Sequence, residues 1–473
     1  MNRKLRSSFD WKTFIRNVAV IAIPIALQNL LTSTASMVDT IMIAPLGETS
    51  VAAVGLCGQF ASLMFSCYWG FVGGGMLFFA QYYGAQDDDG IDRAYGMTCI
   101  CMMTDALVFA TLALFFPQTV MRLYTDKQGI QVIGVRYLKV VGVAYIFQVW
   151  STLMSSLLRS TERVKIPLYA SIASVSTNIV LNYLFIYGKL GLPAMKEAGA
   201  ALATTCAAFV NSAVILILSR KAGYPYLFHF RKHFCMTKAF VKEYFAKCFP
   251  ILCNELLIGV GNMVINIVLG RQSESAIAAV AVLRTFEGLV IGFFAGFSNA
   301  ASVLVGANVG AGKLEVAYER AKRLVPLCGG TILCTVAAIL ALHTPLLHLM
   351  SLSGESFEIC TGLLIIYCVV AVIRMCNWVQ NDTYRSAGDA IYGTVLEIVF
   401  MYCVVLPAVC FTGLKLKAHI FIVFACCYCD EPIRFVLMQI HMYSGKWIRP
   451  VTEQGKKAVE EFRAARLRRK DPA

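Results

Sequence analysis

Asp39 stands in an otherwise apolar run, Ile21 to Ala44, that is about as long as a bilayer is thick. A carboxylate in such a segment costs at least roughly 2.5 kcal/mol if it meets lipid, so it must face a bundle interior or a water-filled cavity. Two chemistries are open to it there: taking up and releasing a proton, or holding a small hard cation. Asn178 and Asn182 lie four residues apart in a second apolar run and therefore share a helix face. Their amides offer acceptor oxygens to a cation, or hydrogen bonds to a carboxyl group. Further charges fall inside apolar runs at Glu255, Arg284, Glu287, Arg374 and Glu397, and Asp105 sits in the third run with no evident partner. Catalytic arrangements are missing. No HExxH, GxSxG or clustered acidic metal site occurs, so the chain reads as something other than an enzyme.

The elements that carry these residues follow from composition. The chain has 473 residues, 58% hydrophobic and 15% charged, where a soluble protein has roughly 25% charged. Apolar runs long enough to cross a hydrocarbon core recur from end to end. The fold class is all-α and integral to the membrane, with twelve transmembrane helices. The spans fall near 16–44, 51–83, 93–116, 130–158, 165–188 and 197–219, then 243–270, 276–310, 317–342, 357–385, 391–412 and 418–441.

The net charge of +14 is not a nucleic-acid surface, because the basic residues fill the short gaps between apolar runs and the termini. With the N-terminus inside, the cytoplasmic ends collect roughly 31 of the 42 Lys and Arg, as the positive-inside rule asks. Both termini are thus placed in the cytoplasm of a multi-pass protein of the cell membrane. The basic tail from Lys456 to Lys470 either lies against anionic lipid or is a solvated helix. The 18 cysteines mostly lie within apolar runs, where free Cys behaves as a small hydrophobe.

An internal repeat organises the whole. A shift of 226 residues places Pro24 on Pro250, Gly70 on Gly296, Gly84 on Gly310 and Arg159-Ser160 on Arg385-Ser386. Residues 1–226 and 227–445 read as two six-helix lobes, with 446–473 a basic cytoplasmic tail. Six is even, so both halves enter from one side and form parallel repeats, as in one class of secondary transporters. The acid has no counterpart in the second half, since Asp39 falls on Ile265.

At these residues the chain resembles the multidrug and toxic compound extrusion (MATE) family of cation-coupled exporters. The pattern Pro24…Val38-Asp39-Thr40…Leu46-Gly47…Ala52-Ala53-Val54-Gly55 is similar to that family's opening signature. So are Leu158-Arg159-Ser160-Thr161 with Pro167, Thr177-Asn178-Ile179-Val180-Leu181-Asn182-Tyr183, and Gly199-Ala200-Ala201-Leu202-Ala203-Thr204. In the second half, Gly306…Gly310-Ala311-Gly312 and Arg385-Ser386-Ala387-Gly388-Asp389 take the corresponding places.

The resemblance implies a V-shaped pair of six-helix lobes and an antiporter that exports organic, cationic or amphipathic compounds in exchange for Na+ or H+. It implies that Asp39, Asn178, Asn182 and Thr204 form one ion-coupling pocket. Some proton-coupled members carry a second Asp where this chain has Asn182, so the coupling ion stays open between Na+ and H+. Glu255 resembles an acidic position of the sodium-coupled branch, but the tenth-span carboxylate of that branch is absent, and Arg374 and Asn377 occupy its neighbourhood. Glu255, Glu287 and Arg374 are therefore candidates for a second-lobe ion or substrate site, or else Glu287, Arg284, Arg374 and Glu397 form a neutralised network. Met64, Tyr68, Phe293 and Phe297 either line a cavity for aromatic cations or pack as core. Beyond the coupling ion no cofactor is implied; the partners are small organic molecules and the bilayer, and the chain is read as a monomer. Two rivals remain. One is a lipid-linked oligosaccharide flippase of the same wider superfamily, disfavoured by acids as prominent as bases within the spans. The other is an integral membrane transferase, disfavoured by the missing catalytic cluster.

Overall fold

The structure, a computed structural model, describes residues 10–191, 193–349 and 354–470. Among them all regular structure is helical. In the first half the long helices are α1 (Trp11–Ile43), α2 (Glu48–Ala85), α3 (Asp88–Phe115), α4 (Gln128–Ser160), α5 (Lys165–Tyr187) and α6 (Lys196–Lys221). The second half repeats the series as α7 (Lys238–Leu269), α8 (Glu274–Gly310), α9 (Leu314–Ala341), α10 (Glu355–Ser386) and α11 (Tyr392–Lys415). Polar caps start several of them: Asp10 accepts from the Thr13 amide, Asp87 from Gly90, Thr237 from Phe240 and Ser273 from Ala276. Pro24 and Pro250 sit inside α1 and α7 at repeat-related depth.

Eleven helices among the described residues are long and apolar enough to cross a membrane. The expected twelfth span is broken. It consists of α12 (Ile420–Cys426) and α13 (Glu431–Ser444), separated by a turn. The sequence accounts for the break: Asp430, Glu431 and Arg434 interrupt the apolar run, and Pro432 sits in the first turn of α13, where its missing N–H costs nothing. Eleven continuous helices and one divided segment make up the crossings. A last helix, α14 (Glu453–Lys470), follows a short strap that runs from Gly445 to Thr452.

Two large buried cores form, one per half, beside a small cluster of Ile43, Ile186 and Ala200, and each large core borrows the start of a helix from the other half. Phe14, Val18, Ala22 and Ile25 of α1 join the second-half core, while Phe240, Tyr244 and Cys248 of α7 join the first-half core. Phe14 and Phe240 are repeat partners, as are Val18 and Tyr244. The exchange therefore obeys the pseudo-twofold relation. Its seams are α1 against α8, α2 against α7, and α2 against α8.

Glycine makes the seams close enough. A Cβ at Gly84 would lie 1.8 Å from the Ala307 carbonyl oxygen, and one at Gly310 would lie 1.9 Å from that of Gln81. The ends of α2 and α8 thus cross backbone to backbone, as small residues permit in membranes. This crossing lies on the face that carries the strap and α14, the terminal face. Gly55, Gly58, Gly259 and Gly288, nearer the opposite ends of α2, α7 and α8, have open space around them. The lobes are joined at the terminal face and part away from it.

Candidate functional site

The first-half cluster is assembled by α1, α4, α5 and α6. The Tyr187 hydroxyl donates to the Met42 carbonyl at 2.8 Å and so fastens the end of α1 to α5. One turn before, the Asn182 amide donates to Asp39 Oδ1 at 2.5 Å and also reaches Asn178 Oδ1 at 3.2 Å. Asn182 is fully buried and its own Oδ1 has no partner, leaving one free acceptor beside the carboxylate. Three of the four sequence candidates therefore meet. Thr204 does not touch Asp39; its hydroxyl bonds the Ala200 carbonyl on its own helix at 3.0 Å. It stands instead beside Tyr137 of α4, whose phenol lies within electrostatic reach of Asp39. Tyr137 escaped the sequence reading because a tyrosine in an apolar run carries no signal of its own.

The second half holds a different arrangement. Glu287 is buried at 3% exposure; Arg284 reaches it at 2.8 Å, Arg374 bonds its other oxygen, and the Tyr428 hydroxyl adds a bond at 3.1 Å. Two guanidiniums already neutralise this carboxylate, so Glu287 and Arg374 do not offer a free cation ligand. They are the neutralised network that the sequence held as the alternative. That network runs further than the sequence suggested. Arg374 lies 3.9 Å from Glu431, and Arg434 lies 3.1 Å from Asp430, 3.8 Å from Glu431 and 3.5 Å from Glu397. The residues that join it, Asp430, Glu431 and Arg434, are those that break the twelfth span. Their clustering in one apolar run was the available signal.

Glu255 belongs to a second, smaller cluster. Arg385 reaches it at 3.4 Å and Asp382 at 3.7 Å, and Ser298 donates to Asp382. Arg385 and Arg159 turn inward to α7 and α1, with Arg159 donating to Gln28 at 2.7 Å, so neither merely anchors a helix end. Between the clusters, Asn254 and Asn381 both donate to Glu397 Oε2, at 3.1 and 3.2 Å. The aromatic candidates divide. Met64 and Tyr68 are fully buried in the first-half core and line no open cavity, because their face of α2 is the one that packs on α4 and α3. Phe293 and Phe297 are half-buried against the second-half core.

A duplicated helical bundle with a lone carboxylate–amide cluster in one half and compensated charges in the other defines a membrane transporter. Comparisons with known proteins agree. The MatE family profile matches residues 24–184 and again 250–410, each match beginning on the proline of the internal repeat. The chain belongs to this family of multidrug efflux transporters and is not an enzyme. It is 21% identical over 412 residues to the uncharacterized transporter YisQ of Bacillus subtilis, covering 87% of this chain and 90% of that protein. It is 22% identical to the probable multidrug resistance protein YoeA of the same organism, over 83% of this chain and 85% of the relative. Among solved structures, a MATE protein in complex with MaL6 superposes with TM-score 0.82 at 18% identity, covering 91% of this chain and 96% of the other. An outward-facing multidrug resistance MATE transporter superposes at 0.78, with the same identity and coverage.

Proposed function

We propose that the protein is a secondary active antiporter that exports organic cationic or amphipathic compounds while Na+ or H+ runs inward. The observation that carries this reading is Asp39, an acid in an apolar helix held by Asn182 and Asn178 from α5. A carboxylate whose direct side-chain partner among the described residues is a neutral amide changes its net charge when it takes up a proton or a sodium ion. That neutralisation lowers the cost of packing the ends of α1 and α5 together, and it biases the first lobe between two arrangements. A ligand shifts such an equilibrium only through different affinity for the two states, so ion and substrate must favour opposite ones. In this reading the terminal face is cytoplasmic and the chain acts as a monomer in the cell membrane.

The second half contributes a complementary property. Its larger network sets Glu287, Glu397, Asp430 and Glu431 against Arg284, Arg374 and Arg434, one acid in excess among the described residues. The smaller one sets Glu255 and Asp382 against Arg385. Residual negative charge in the second lobe suits a cationic substrate better than an anionic one.

The test is transport in reconstituted vesicles, with a sodium gradient and a pH gradient imposed separately and a panel of cationic dyes. One gradient is expected to drive dye export and the other not. The Asp39→Asn protein, inserted at normal level, is expected to lose gradient-driven export altogether. Full ion-driven export by that variant would end the proposed role of Asp39.

A further inference from the structure

The basic tail, which the transport reading leaves unused, meets a surface cavity. On the outer face of α13, Phe435, Val436, Gln439, Ile440, Tyr443 and Ser444 line a groove of about 650 Å³. Ile433, Val436, Ile440 and Tyr443 recur at helical spacing and are each more than half exposed, so this stripe faces lipid. The groove is apolar except for the Gln439 amide and, at its terminal end, Ser444. From Phe435 to Tyr443 it runs about 12 Å, the rise of eight helical residues and a good part of an acyl chain.

At the terminal end Lys322 and Arg466 converge on Tyr318 and Tyr443, and Lys446 follows Tyr443 by three residues in the chain. The Lys322 ammonium of α9 lies 5.3 Å from the centres of both the Tyr318 and Tyr443 rings. Arg466 of α14 stacks 4.1 Å over Tyr318 and donates to the Tyr443 carbonyl and, at 3.1 Å, to the Tyr318 hydroxyl. Lys446, exposed, follows two residues after Ser444 and bonds that hydroxyl through its backbone amide at 3.1 Å. Glu319 approaches Lys322 only to 4.0 Å while bonding Arg323 at 2.7 Å. Arg466 also keeps a guanidinium nitrogen, Nη1, buried with no hydrogen-bond acceptor, packed against Gly445. The Lys322 ammonium and the Arg466 guanidinium, gathered on one pair of tyrosine rings, leave this end of the groove positively charged.

We propose that this groove and its basic end bind one anionic glycerophospholipid. An acyl chain lies along α13, Gln439 faces the glycerol esters, and the phosphate sits among Lys322, Lys446 and Arg466. A zwitterionic lipid fits the groove equally well but brings its own cation to the cationic end, so charge is what selects. The lipid would tie α9, α13 and α14 together at the level of the headgroups. Each juxtamembrane Lys or Arg strengthens binding of anionic lipid roughly fivefold, the scale needed for such selection. Occupancy of the site does not depend on the transport reading; only its placement in the cytoplasmic leaflet does.

The experiment uses the full chain in nanodiscs of equal parts phosphatidylglycerol and phosphatidylcholine with matched acyl chains. Lipids retained after mild extraction are counted by native mass spectrometry. One phosphatidylglycerol is expected to stay bound, and Lys322→Gln/Lys446→Gln, which leaves Arg466 and the tail packing in place, should weaken its binding roughly 30-fold. Ile440→Trp, which fills the groove and keeps every charge, should displace the same lipid, whereas inorganic phosphate at millimolar concentration should not. Equal retention of the two lipids, or wild-type retention by both variants, would overturn the site. Displacement by phosphate alone would reduce it to a headgroup pocket and overturn the role of the groove.

Discussion

Glu287 shows what a buried acid does when it is not meant to change charge. Two guanidiniums and a phenol hold it, and Arg374 is shared with Glu431. Breaking such a group from one side leaves an uncompensated charge inside the bundle, at a cost of roughly 3–5 kcal/mol for a fully buried pair. Arg374 is about a quarter exposed, which puts the loss near the low end of that range. Arg374→Gln is therefore expected to lower the thermal midpoint of the detergent-solubilised protein markedly. Glu287→Gln/Arg374→Gln should recover most of the loss, because it removes both charges together. Additive losses in the double variant would count against the pair. Asp39 differs in having, among the described residues, an amide for its direct partner, and that contrast is legible in the sequence, where no basic residue lies near it in its run. The partners of Glu287 were only half legible. Arg284 is three residues away on the same helix, but Arg434 reaches the network through a fold that no spacing rule gives.

Among elements, the connection between α6 and α7 carries a titratable contact outside the membrane. His233, 4% exposed, is packed on α3 so tightly that a Cβ at Gly96 would lie 1.8 Å from its carbonyl oxygen. His233 Nε2 donates to the Tyr226 carbonyl at 2.8 Å, with Asp92 at 3.7 Å; His229 meets Asp92 at 2.9 Å, Lys232 meets Asp89 at 3.0 Å, and Tyr226 donates to Asp88 at 2.5 Å. Burial holds the His233 ring below its ordinary value despite Asp92, so the folded contact prefers the neutral imidazole. A depressed histidine contributes stability that is present above its unfolded value, about 6.5, and is lost as pH falls below it. Protection of the amides across residues 226–234, with the intrinsic pH dependence of exchange divided out, should fall between pH 7.5 and 5.5, and His233→Gln should flatten that response. An unchanged pH response in the variant would overturn the part given to His233. The helices themselves were legible as long apolar runs, and the repeat gave their order. The twelfth reads as one continuous span because apolar length dominates such a reading, and three charged residues, Asp430, Glu431 and Arg434, in a run of two dozen hardly shift it.

At the scale of the molecule, alternating access requires the terminal-face seam to open, and Gln81 is where that seam is tied. It is fully buried at the end of α2; its amide donates to the Ser386 carbonyl of α10 at 2.8 Å, and its oxygen accepts from the Val451 amide of the strap at 2.8 Å. The strap belongs to the second lobe, because Arg449 donates its amide to the Ala387 carbonyl at 2.9 Å and Thr452 donates to Gly310 at 2.7 Å. Gln81 thus spends both ends of one side chain on the opposite lobe, and parting the lobes breaks both bonds at once. Each is worth about 1 kcal/mol net, so Gln81→Ala should favour the parted state by about 2 kcal/mol, or roughly 30-fold. The variant should fold, since α2 keeps its glycine seam, but residues 447–455 and the ends of α2 and α8 should exchange amide hydrogens faster. Transport should slow, because an equilibrium pushed toward one access state starves the other. Wild-type exchange at Val451 in the variant would show that the Gly84–Gly310 crossing alone seals this face, and that the strap only rests upon it.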